Sequence, residues 1–309
     1  MSIVLIAKNR DMEPFKNALL HLDSNLDIEI WPEVRNKNRI TYAVVWRHPG
    51  HLLDSFPNLK VVSSLGAGVD HLIRDDTIPE QVELTRVVTP SLVSQMIDYI
   101  KASCYLILRR FESYFQQKQN NLWEVQPHFQ KDQLSVGLMG LGAIGREVAE
   151  AMAADGWIVN GWSRSRKEID QITAYAGKEE LEKFLQTTNI VVSLLPLTRE
   201  TEGILDLKLF KMLKNPSWLI NVGRGEQLVE EDLVYALDTG LLDGAVLDVF
   251  EEEPLPDRHP FWNRPGIVIT PHVAALTEPE ELAVELLENY KRMTSDIPLK
   301  NRVDRSREY

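Results

Sequence analysis

A short cluster of glycines constrains this chain more than any other stretch. Gly140, Gly142 and Gly145 have the Gly-x-Gly-x-x-Gly spacing, with an apolar run before them and an amphipathic run after them. In such a turn the first glycine permits a tight bend, the second lets a pyrophosphate approach the backbone, and the third lets a helix pack against a strand. The helix-start amides of Ala143 and Ile144 would then hold the diphosphate. Because glycines also mark ordinary turns, the neighbouring sequence must decide between the two interpretations.

That neighbouring sequence places the turn inside a strand, helix, strand unit. Residues 134–139 form an apolar strand pattern before the glycines, and residues 157–162 form a second one after the helical pattern. An NAD-specific turn would present a carboxylate at the end of the second strand, about 20 residues past the glycines. This chain has the following residues there instead: Ser163, Arg164, Ser165, Arg166 and Lys167.

This basic turn bears on the choice of cofactor. Its hydroxyls and cations would attract a 2′-phosphate, and the turn itself contains no carboxylate to repel one. The sequence therefore favours NADPH over NADH, with NADH as the second option. An ordinary solvated basic loop is the alternative interpretation, and it is weaker in a chain with a formal charge of -12.

Alternating apolar runs and helical patterns extend over the whole chain. Strand patterns in the first hundred residues cover 3–7, 28–31, 42–46 and 59–63, and those after residue 180 cover 189–195, 217–222, 243–249 and 266–270. Strands separated by helices predict parallel sheets with right-handed crossovers. Since 309 residues exceed the usual single core, the sequence predicts an α/β protein with two domains, each built on a doubly wound parallel sheet.

Two helix starts are visible outside the glycine turn. Thr89 and Pro90 indicate an N-cap and a first helical residue, and apolar residues then recur at helical spacing as far as Phe115, which predicts one long helix. Its apolar residues would form core or a subunit interface. Thr277 and Glu280 have the spacing of a capping box at the start of the last helix.

Composition and charge exclude several classes of partner. A net charge of -12 and a pI near 5.1 argue against nucleic acid and anionic membrane surfaces, which would repel the chain. No segment approaches the length of a membrane span. The single cysteine, Cys104, lies in an apolar helical pattern, so we expect a reduced thiol and a cytoplasmic protein. His48 and His51 are expected to be surface loop residues rather than metal ligands, and no metal site is predicted.

Glycines and polar residues follow several predicted strands at the end where open α/β sheets bind ligands. Gly66 and Gly68 follow the fourth strand, either as an ordinary turn or as a nest of amides for a small anion. Trp46 ends a neighbouring strand and would line the same crevice. Three polar residues follow later strands: Arg224, Glu253 and His272. Taken singly, each also has an ordinary explanation, as a loop cation, part of a solvated acidic run, or one of seven histidines.

Taken together, these stretches resemble the D-2-hydroxyacid dehydrogenases in order and spacing over nearly the whole chain. Besides the glycine turn, the resemblance is carried by residues 66–70, 195–201, 221–225, 248–256 and 271–275. The basic turn and the tail at residues 303–305 look most like the A-type glyoxylate/hydroxypyruvate reductases of that family. Two residues depart from the common pattern: Asp98 stands where many relatives have glutamate, and Ser163 replaces the acid of NAD-specific members.

The resemblance implies a domain layout and a set of contacts. A Rossmann dinucleotide domain, residues 98–282, would be inserted into a flavodoxin-like substrate domain formed by residues 1–97 and 283–309. The long helix from Pro90 would be the contact of a homodimer. The resemblance also implies cofactor contacts at further strand ends: Leu195, Pro196, Leu197, Val222, Gly223, Asp248 and Ala274.

The implied reaction is NADPH-dependent reduction of a small 2-oxo acid, glyoxylate to glycolate or hydroxypyruvate to glycerate. Arg224 would hold the carboxylate and the carbonyl oxygen, and the amides of Ala67 and Gly68 would take the carboxylate from the other domain as the cleft closes. His272 would donate a proton to the alkoxide, and Glu253 would orient the histidine ring and stabilise its charged form.

Two other functions remain open at the level of sequence. Trp46 and Trp262 would narrow the pocket toward two- and three-carbon acids, but a reductase for a bulkier 2-oxo acid is an alternative. The other alternative is a non-enzymatic, dinucleotide-responsive binding protein on the same fold. The absence of a low-complexity tail that would recruit partners argues against it.

Overall fold

The computed structural model describes residues 1–309. Its strands are β1 Ser2–Ala7, β2 Ile28–Ile30, β3 Ile40–Trp46, β4 Val61–Ser64, β5 Glu83–Thr85, β6 Ser135–Met139, β7 Ile158–Ser163, β8 Thr173–Ala176, β9 Ile190–Ser193, β10 Trp218–Asn221, β11 Gly244–Leu247 and β12 Ile267–Ile269. Its α-helices are α1 Glu13–Leu22, α2 Asp70–Ile73, α3 Pro90–Leu108, α4 Phe111–Gln119, α5 Ala143–Ala154, α6 Leu181–Gln186, α7 Leu207–Met212, α8 Glu230–Asp238 and α9 Pro279–Thr294. None of these helices is both long enough and apolar enough to cross a membrane.

The chain forms two compact units with different boundaries from those expected. The first unit consists of Met1–Leu92 and Thr277–Tyr309, and the second unit is Val93–Leu276. The expected boundary after residue 282 would cut through α9. That helix belongs wholly to the first unit because its buried residues, Leu282 and Leu286 among them, pack into the core of the first sheet. The other boundary falls after Leu92 rather than after residue 97.

The first unit has a five-stranded sheet in the order β2-β1-β3-β4-β5, with every pair parallel. This is the 2-1-3-4-5 order of the flavodoxin-like fold. Successive residues of β1 alternate between two cores: Ile3 and Leu5 face one cluster, and Val4 and Ile6 face the other. Both faces of the sheet are therefore covered, as expected for parallel strands.

The second unit has a seven-stranded parallel sheet in the order β12-β11-β10-β9-β6-β7-β8. Counted from β6, the strand order from β8 to β11 is the 3-2-1-4-5-6 arrangement of dinucleotide-binding sheets, with one strand added. In β9, Ile190 and Val192 face one core and Val191 faces the other. The predicted fold class, two parallel-sheet α/β domains, is confirmed.

The prediction of one long helix from Pro90 to Phe115 is wrong. Helix α3 ends at Leu108, and α4 begins at Phe111 after Arg110, whose φ of 59° is left-handed. The chain turns here because the N–H of Phe129 donates to the carbonyl oxygen of Leu108 at 3.1 Å, in place of a continuing helix.

The two predicted helix caps have different outcomes. Thr89 caps α3, since its hydroxyl accepts the N–H of Leu92 at 3.3 Å. The capping box of Thr277 and Glu280 is wrong: the N-cap of α9 is Glu278, with no side-chain cap bond, and the helix begins with Pro279. Proline at the first helical position needs no partner for an N–H that it lacks.

Candidate active site

The glycine turn joins β6 to α5, and two of its glycines are required by the packing of the protein itself. Gly140 has a φ of 109°, and a Cβ there would lie 2.8 Å from the carbonyl oxygen of Leu194. A Cβ on Gly145 would lie 1.9 Å from the carbonyl oxygen of Gly140. Only glycine fits these two positions, and α5 can therefore start directly beside the end of the strand.

The middle glycine has a different environment. No protein atom lies within 4 Å of the position that a Cβ on Gly142 would take. Gly142 is the N-cap of α5, and no side-chain cap bond satisfies the amides at the helix start, Ala143 and Ile144 among them. Open space in front of a helix N-terminus suits an anionic group. The turn therefore fits the diphosphate of a dinucleotide.

Arg166 of the basic turn is held by groups of the second unit itself. Its guanidinium donates to the carbonyl oxygen of Ala174 at 2.9 Å and to the two carboxylate oxygens of Glu180 at 2.5 and 2.6 Å. The N–H of Ala176 also donates to Glu180 at 2.7 Å. The bond from Ala176, followed by that from Arg166, lowers the pKa of Glu180. A phosphate at Arg166 would therefore compete with a bound carboxylate.

Arg164 makes a looser ion pair, 3.6 Å from Glu200, and is half exposed. The hydroxyl of Ser163 donates to the carbonyl oxygen of Ser165 at 2.8 Å, which folds the loop back over the end of β7. The basic turn itself contains no carboxylate, but two carboxylates lie against it in the folded chain. Glu180 and Glu200 come from later segments of the chain and neutralise part of its charge.

Arg224 lies in a tight loop after β10 that touches the loop after β11. A Cβ on Gly225 would lie 1.8 Å from the carbonyl carbon of Phe250, so the two loops meet only because residue 225 is glycine. The side-chain amide of Asn221 donates to the carbonyl oxygen of Arg224 at 3.1 Å. The Arg224 guanidinium donates to the carbonyl oxygen of Gly223 at 2.7 Å. These contacts therefore fix the backbone conformation of the loop that carries Arg224.

The structure brings Glu253 and His272 together. The Nδ1 atom of His272 lies 2.8 Å from one carboxylate oxygen of Glu253, and the other carboxylate oxygen accepts the N–H of Phe250 at 3.1 Å. Both side chains are largely buried, with 14% of Glu253 and 29% of His272 exposed. Three neighbouring strands, β10, β11 and β12, thus carry the three predicted catalytic residues just beyond their carboxyl ends.

Asp248 holds the backbone around His272. Its carbonyl oxygen accepts the N–H of His272 at 2.9 Å, and its carboxylate accepts the N–H groups of Val273 and Ala274, each at 2.8 Å. These bonds support the left-handed φ of 55° at His272, a conformation that histidine rarely adopts. The carboxylate of Asp248 is buried, and its hydrogen bonds hold the backbone after His272 in place. The predicted contact of Asp248 with the cofactor would be a second role.

A hydroxyl chain extends from Asp248 to α3. Thr270 donates to the carboxylate of Asp248 at 2.6 Å, and the hydroxyl of Tyr99 lies 2.5 Å from the hydroxyl of Thr270. Burial, as the largest cause, raises the pKa of Tyr99 to about 12. Tyr99 therefore stays protonated and can act as a donor in this chain.

The remaining predicted cofactor contacts are buried, except for Pro196, which is half-buried. The side chains of Leu195, Leu197, Val222 and Ala274 lie in or beside the hydrophobic cores of the second unit. Any contact that these residues make with a cofactor would depend chiefly on their backbone atoms. Trp262 lines a cavity of about 190 Å³ with residues of α4, and none of the predicted catalytic residues lines that cavity.

In the first unit, the structure brings Trp46 next to the turn at residues 66–68. The hydroxyl of Ser64 donates to the carbonyl oxygen of Gly68 at 2.7 Å. A Cβ on Gly66 would lie 3.7 Å from the Trp46 ring, and Ala67 and Gly68 are half-buried. The Trp46 ring also packs edge-on against His71, with centroids 5.2 Å apart.

The expectation that His48 is a surface loop residue is wrong. Only 2% of its side chain is exposed, and its Nε2 atom lies 2.7 Å from the carboxylate of Asp75. Thr77 supplies two further hydrogen bonds to that carboxylate. The sequence shows no carboxylate near His48 because this one comes from 27 residues further along the chain. His51 is exposed as expected.

Sequence analysis missed several residues that shape the site. Four of them are buried or half-buried polar side chains bonded to predicted site loops: Tyr99, Asn221, Gln227 and Thr270. Asn221 and Gln227 flank Arg224 closely in sequence, so a polar residue on each side of the loop was a visible signal. Tyr99 and Thr270 are 171 residues apart in the sequence, so no local pattern could indicate their contact.

The fold and the site define a nucleotide-binding α/β protein with a histidine–glutamate pair, and comparison with known proteins identifies its family. Residues 102–274 match the family described as D-isomer specific 2-hydroxyacid dehydrogenase, NAD binding domain. The glyoxylate/hydroxypyruvate reductase A of Yersinia enterocolitica is 41% identical over 258 residues, which cover 82% of each chain.

Two solved structures are similar over the whole chain. A D-isomer specific 2-hydroxyacid dehydrogenase from Xanthobacter autotrophicus Py2, in complex with NADPH and MES, has a TM-score of 0.95 at 32% identity and covers 100% of this chain and 99% of its own. The NADPH-dependent glyoxylate/hydroxypyruvate reductase of Sinorhizobium meliloti, in complex with NADP and sulfate, has a TM-score of 0.93 at 36% identity and covers 100% of both chains. The chain belongs to the D-isomer specific 2-hydroxyacid dehydrogenase family, as the sequence resemblance predicted.

Proposed function

We propose that this protein is an NADPH-dependent reductase of small 2-oxo acids, which converts glyoxylate to glycolate and hydroxypyruvate to glycerate. The observation that carries the proposal is the 2.8 Å contact between Glu253 and His272 beyond the carboxyl ends of a dinucleotide-binding sheet. Relatives named glyoxylate/hydroxypyruvate reductase support the substrate class, and similar structures bound to NADPH or NADP support the cofactor.

NADPH, when bound, supplies the hydride that reduces the carbonyl carbon. The amides at the start of α5, at Ala143 and Ile144, would hold its diphosphate beside Gly142. Arg164 would take the 2′-phosphate, because its ion pair with Glu200 is longer than that of Arg166 with Glu180. Arg166 would support the shape of the same loop.

His272 acts as the proton donor in this proposal. Glu253 accepts a hydrogen bond from the Nδ1–H of the ring, so Nε2 is the atom that donates its proton to the oxygen of the reduced carbonyl. The N–H of Phe250 keeps the carboxylate of Glu253 oriented toward the ring. Arg224 would bind the substrate carboxylate and stabilise the developing alkoxide. The substrate contacts of Trp46, Ala67 and Gly68 remain predictions.

The proposal is tested by mixing the purified protein with glyoxylate or hydroxypyruvate and following NADPH and NADH consumption. We expect both acids to be reduced, faster with NADPH, and larger 2-oxo acids to be reduced more slowly. Arg224→Ala should abolish turnover while NADPH binding stays nearly intact. If neither cofactor is consumed while NADPH still binds, the dinucleotide-responsive binding protein becomes the better interpretation.

The role of Glu253 is tested separately by the rate of reduction. Glu253→Gln removes the carboxylate that accepts the Nδ1–H of His272 and orients its ring, so kcat should fall while NADPH affinity is retained. Normal kcat in this variant would remove Glu253 from this role.

We also propose that the protein is a cytoplasmic homodimer. The apolar residues of α3 predicted as core or interface, including Met96 and Ile100, pack into the core of the second unit itself. Exposed apolar side chains instead follow on α4 and in the next loop, among them Phe115 and Trp123, which is 98% exposed. A second copy covering these side chains should be visible by light scattering, and Trp123→Asp should weaken the dimer. The buried, unpaired thiol of Cys104 suits a reducing compartment.

A further inference from the structure

Gln227 is a fully buried glutamine with every hydrogen-bonding position of its side chain in use. Its Nε2 atom donates to the carbonyl oxygens of Leu195 and Pro196, both at 3.0 Å. Its Oε1 atom accepts the N–H of Arg224 and the hydroxyl of Ser193, both at 3.1 Å. A primary amide has two donor hydrogens and one oxygen with two lone pairs, so this set of partners saturates it.

The partners of Gln227 belong to the ends of two adjacent strands. Ser193 is the last residue of β9, which leads into the loop at residues 195–197, and Arg224 lies in the loop after β10. The two strands are paired, with Ser193 opposite Asn221. The side chain of Gln227 therefore joins a predicted nucleotide loop to the predicted substrate arginine.

The side-chain amide of Gln227 is closely packed. A Cβ on Gly223 would lie 2.4 Å from Oε1 of Gln227. The carbonyl oxygen of Pro196 accepts a second bond, at 2.6 Å, from the hydroxyl of Thr201. The glutamine amide thus fills a gap between the two loops, and an apolar side chain there would break all four of these bonds, with Pro196 keeping its bond from Thr201.

We propose that Gln227 is a positioning residue that couples the nucleotide loop to Arg224. The roles of the two loops, in binding nucleotide and substrate, rest on the proposed function. The coupling between the loops rests on the hydrogen bonds alone. Loss of the amide frees the N–H of Arg224 on one side and the carbonyl groups of Leu195 and Pro196 on the other. Both the orientation of Arg224 and the path of the nucleotide loop then change together.

The test compares three variants with wild type. Gln227→Met keeps the side-chain volume and removes all four bonds, whereas Gln227→Glu replaces the donors with an acceptor that faces two carbonyl oxygens. Ser193→Ala removes one bond and serves as the mild variant. Gln186→Met, at an exposed glutamine of α6, is the matched control and should behave as wild type.

Three quantities are measured below the unfolding temperature of each variant: NADPH affinity by fluorescence, and kcat and KM with glyoxylate. We expect Gln227→Met to lower kcat/KM by roughly 10- to 100-fold, since small misplacements of a substrate-holding group have effects of that size. NADPH affinity should fall about threefold, and further in Gln227→Glu, whose added charge faces the nucleotide loop. If the Gln227 variants do not fold, Ser193→Ala provides the test. Its kcat/KM should fall about two- to fourfold, roughly the effect of one lost hydrogen bond. An unchanged kcat/KM in this variant would then overturn the proposal.

A double-mutant cycle separates positioning from a loss of stability. If Gln227 acts through Arg224, then Gln227→Met should change kcat/KM by less than about threefold in an Arg224→Lys background, because the geometry it maintains is already lost. An equal effect in both backgrounds, or wild-type constants in the folded variants, would overturn the proposal. If wild type binds NADPH but does not reduce glyoxylate, the proposed function has failed, and the NADPH affinities of the same variants still decide whether Gln227 holds the nucleotide loop.

Discussion

Two glycine-bearing turns, at residues 140–145 and 66–68, hold their shapes by different means. In the second unit, close packing fixes the turn, because a Cβ on Gly145 would overlap the carbonyl oxygen of Gly140 at 1.9 Å. In the first unit, a hydroxyl fixes the turn, since Ser64 donates to the carbonyl oxygen of Gly68 at 2.7 Å. A Cβ on Gly66 would meet other side chains only at 3.6 and 3.7 Å, which are ordinary contacts.

This difference separates glycines that the fold requires from glycines that a ligand requires. Packing of α5 against β6 is a sufficient reason for glycine at position 145, so Gly145 is no evidence for a bound nucleotide. Gly142 faces open space at the start of α5, so packing within the protein gives no reason for its missing side chain. Gly66 lies between these cases, because alanine fits there without strain. The comparison is tested by making the same small change at each position.

The largest effect is expected for Gly145→Ala. The added methyl group would overlap the carbonyl oxygen of Gly140, so α5 must move away from the strand. Overpacking of this kind destabilises a protein by about 1–3 kcal/mol or more. Chemical denaturation followed by tryptophan fluorescence should show a lower midpoint and weaker NADPH binding. A midpoint equal to that of wild type would contradict the steric explanation.

Gly142→Ala should leave stability unchanged and weaken NADPH binding. Its methyl group enters empty space in the protein alone but stands where the diphosphate is expected to approach the backbone. We expect an approximately tenfold higher Kd, or about 1.4 kcal/mol. Gly50→Ala is the matched control, since no atom lies within 4 Å of its Cβ position either, and it should bind NADPH normally. Normal binding by Gly142→Ala would place the diphosphate elsewhere.

Ser64→Ala tests the hydroxyl that holds the other turn. The variant loses the bond to Gly68 and a longer bond, at 3.4 Å, from the N–H of Gly66, which should lower the free energy of unfolding by about 1 kcal/mol. The KM for glyoxylate should rise while NADPH affinity stays constant, because the change is confined to the first unit. A shift in NADPH affinity with an unchanged KM would reverse the assignment of the two turns.

Gly66→Ala should have the smallest effect. Where the native backbone suits alanine, this substitution stabilises a protein by about 0.4–1 kcal/mol through the unfolded chain. Thermal unfolding should therefore show an equal or higher Tm, the opposite of the result at Gly145. The KM for glyoxylate should rise about threefold, or roughly 0.6 kcal/mol, because the methyl group touches Trp46. A strong loss of stability would show that this turn is also fixed by packing.

The sheets were predictable from sequence because their signal is local. Long runs of buried residues, such as those of β1 and β6, alternate between two cores and appear as continuous apolar stretches. Two strands were missed, β5 with three residues and β8 with a half-exposed pattern, because neither produces such a run. The break between α3 and α4 was missed for a related reason: apolar residues keep their helical spacing across Arg110, and the bond that ends α3 comes from Phe129.

The site was predictable only in part, because its residues meet through the fold. The residue types and strand-end positions of Glu253 and His272 were visible, but their 2.8 Å contact was not. Charges from distant segments changed the surroundings of other predicted residues, as Glu180 does at Arg166 and Asp75 does at His48. Sequence patterns report on neighbours along the chain, whereas electrostatic surroundings depend on neighbours in space.

The assembly of the first unit from both ends of the chain affects the order in which the protein is synthesised. All five strands of that unit leave the ribosome first, but α9, which carries Leu282 and Leu286 into its core, emerges only after the 184 residues of Val93–Leu276. At a synthesis rate of about 5–20 residues per second, one apolar face of the nascent sheet stays exposed for roughly 10–40 s before α9 can pack on it. Chaperones that bind exposed apolar surface therefore have a longer opportunity at the first unit than at the continuous second unit.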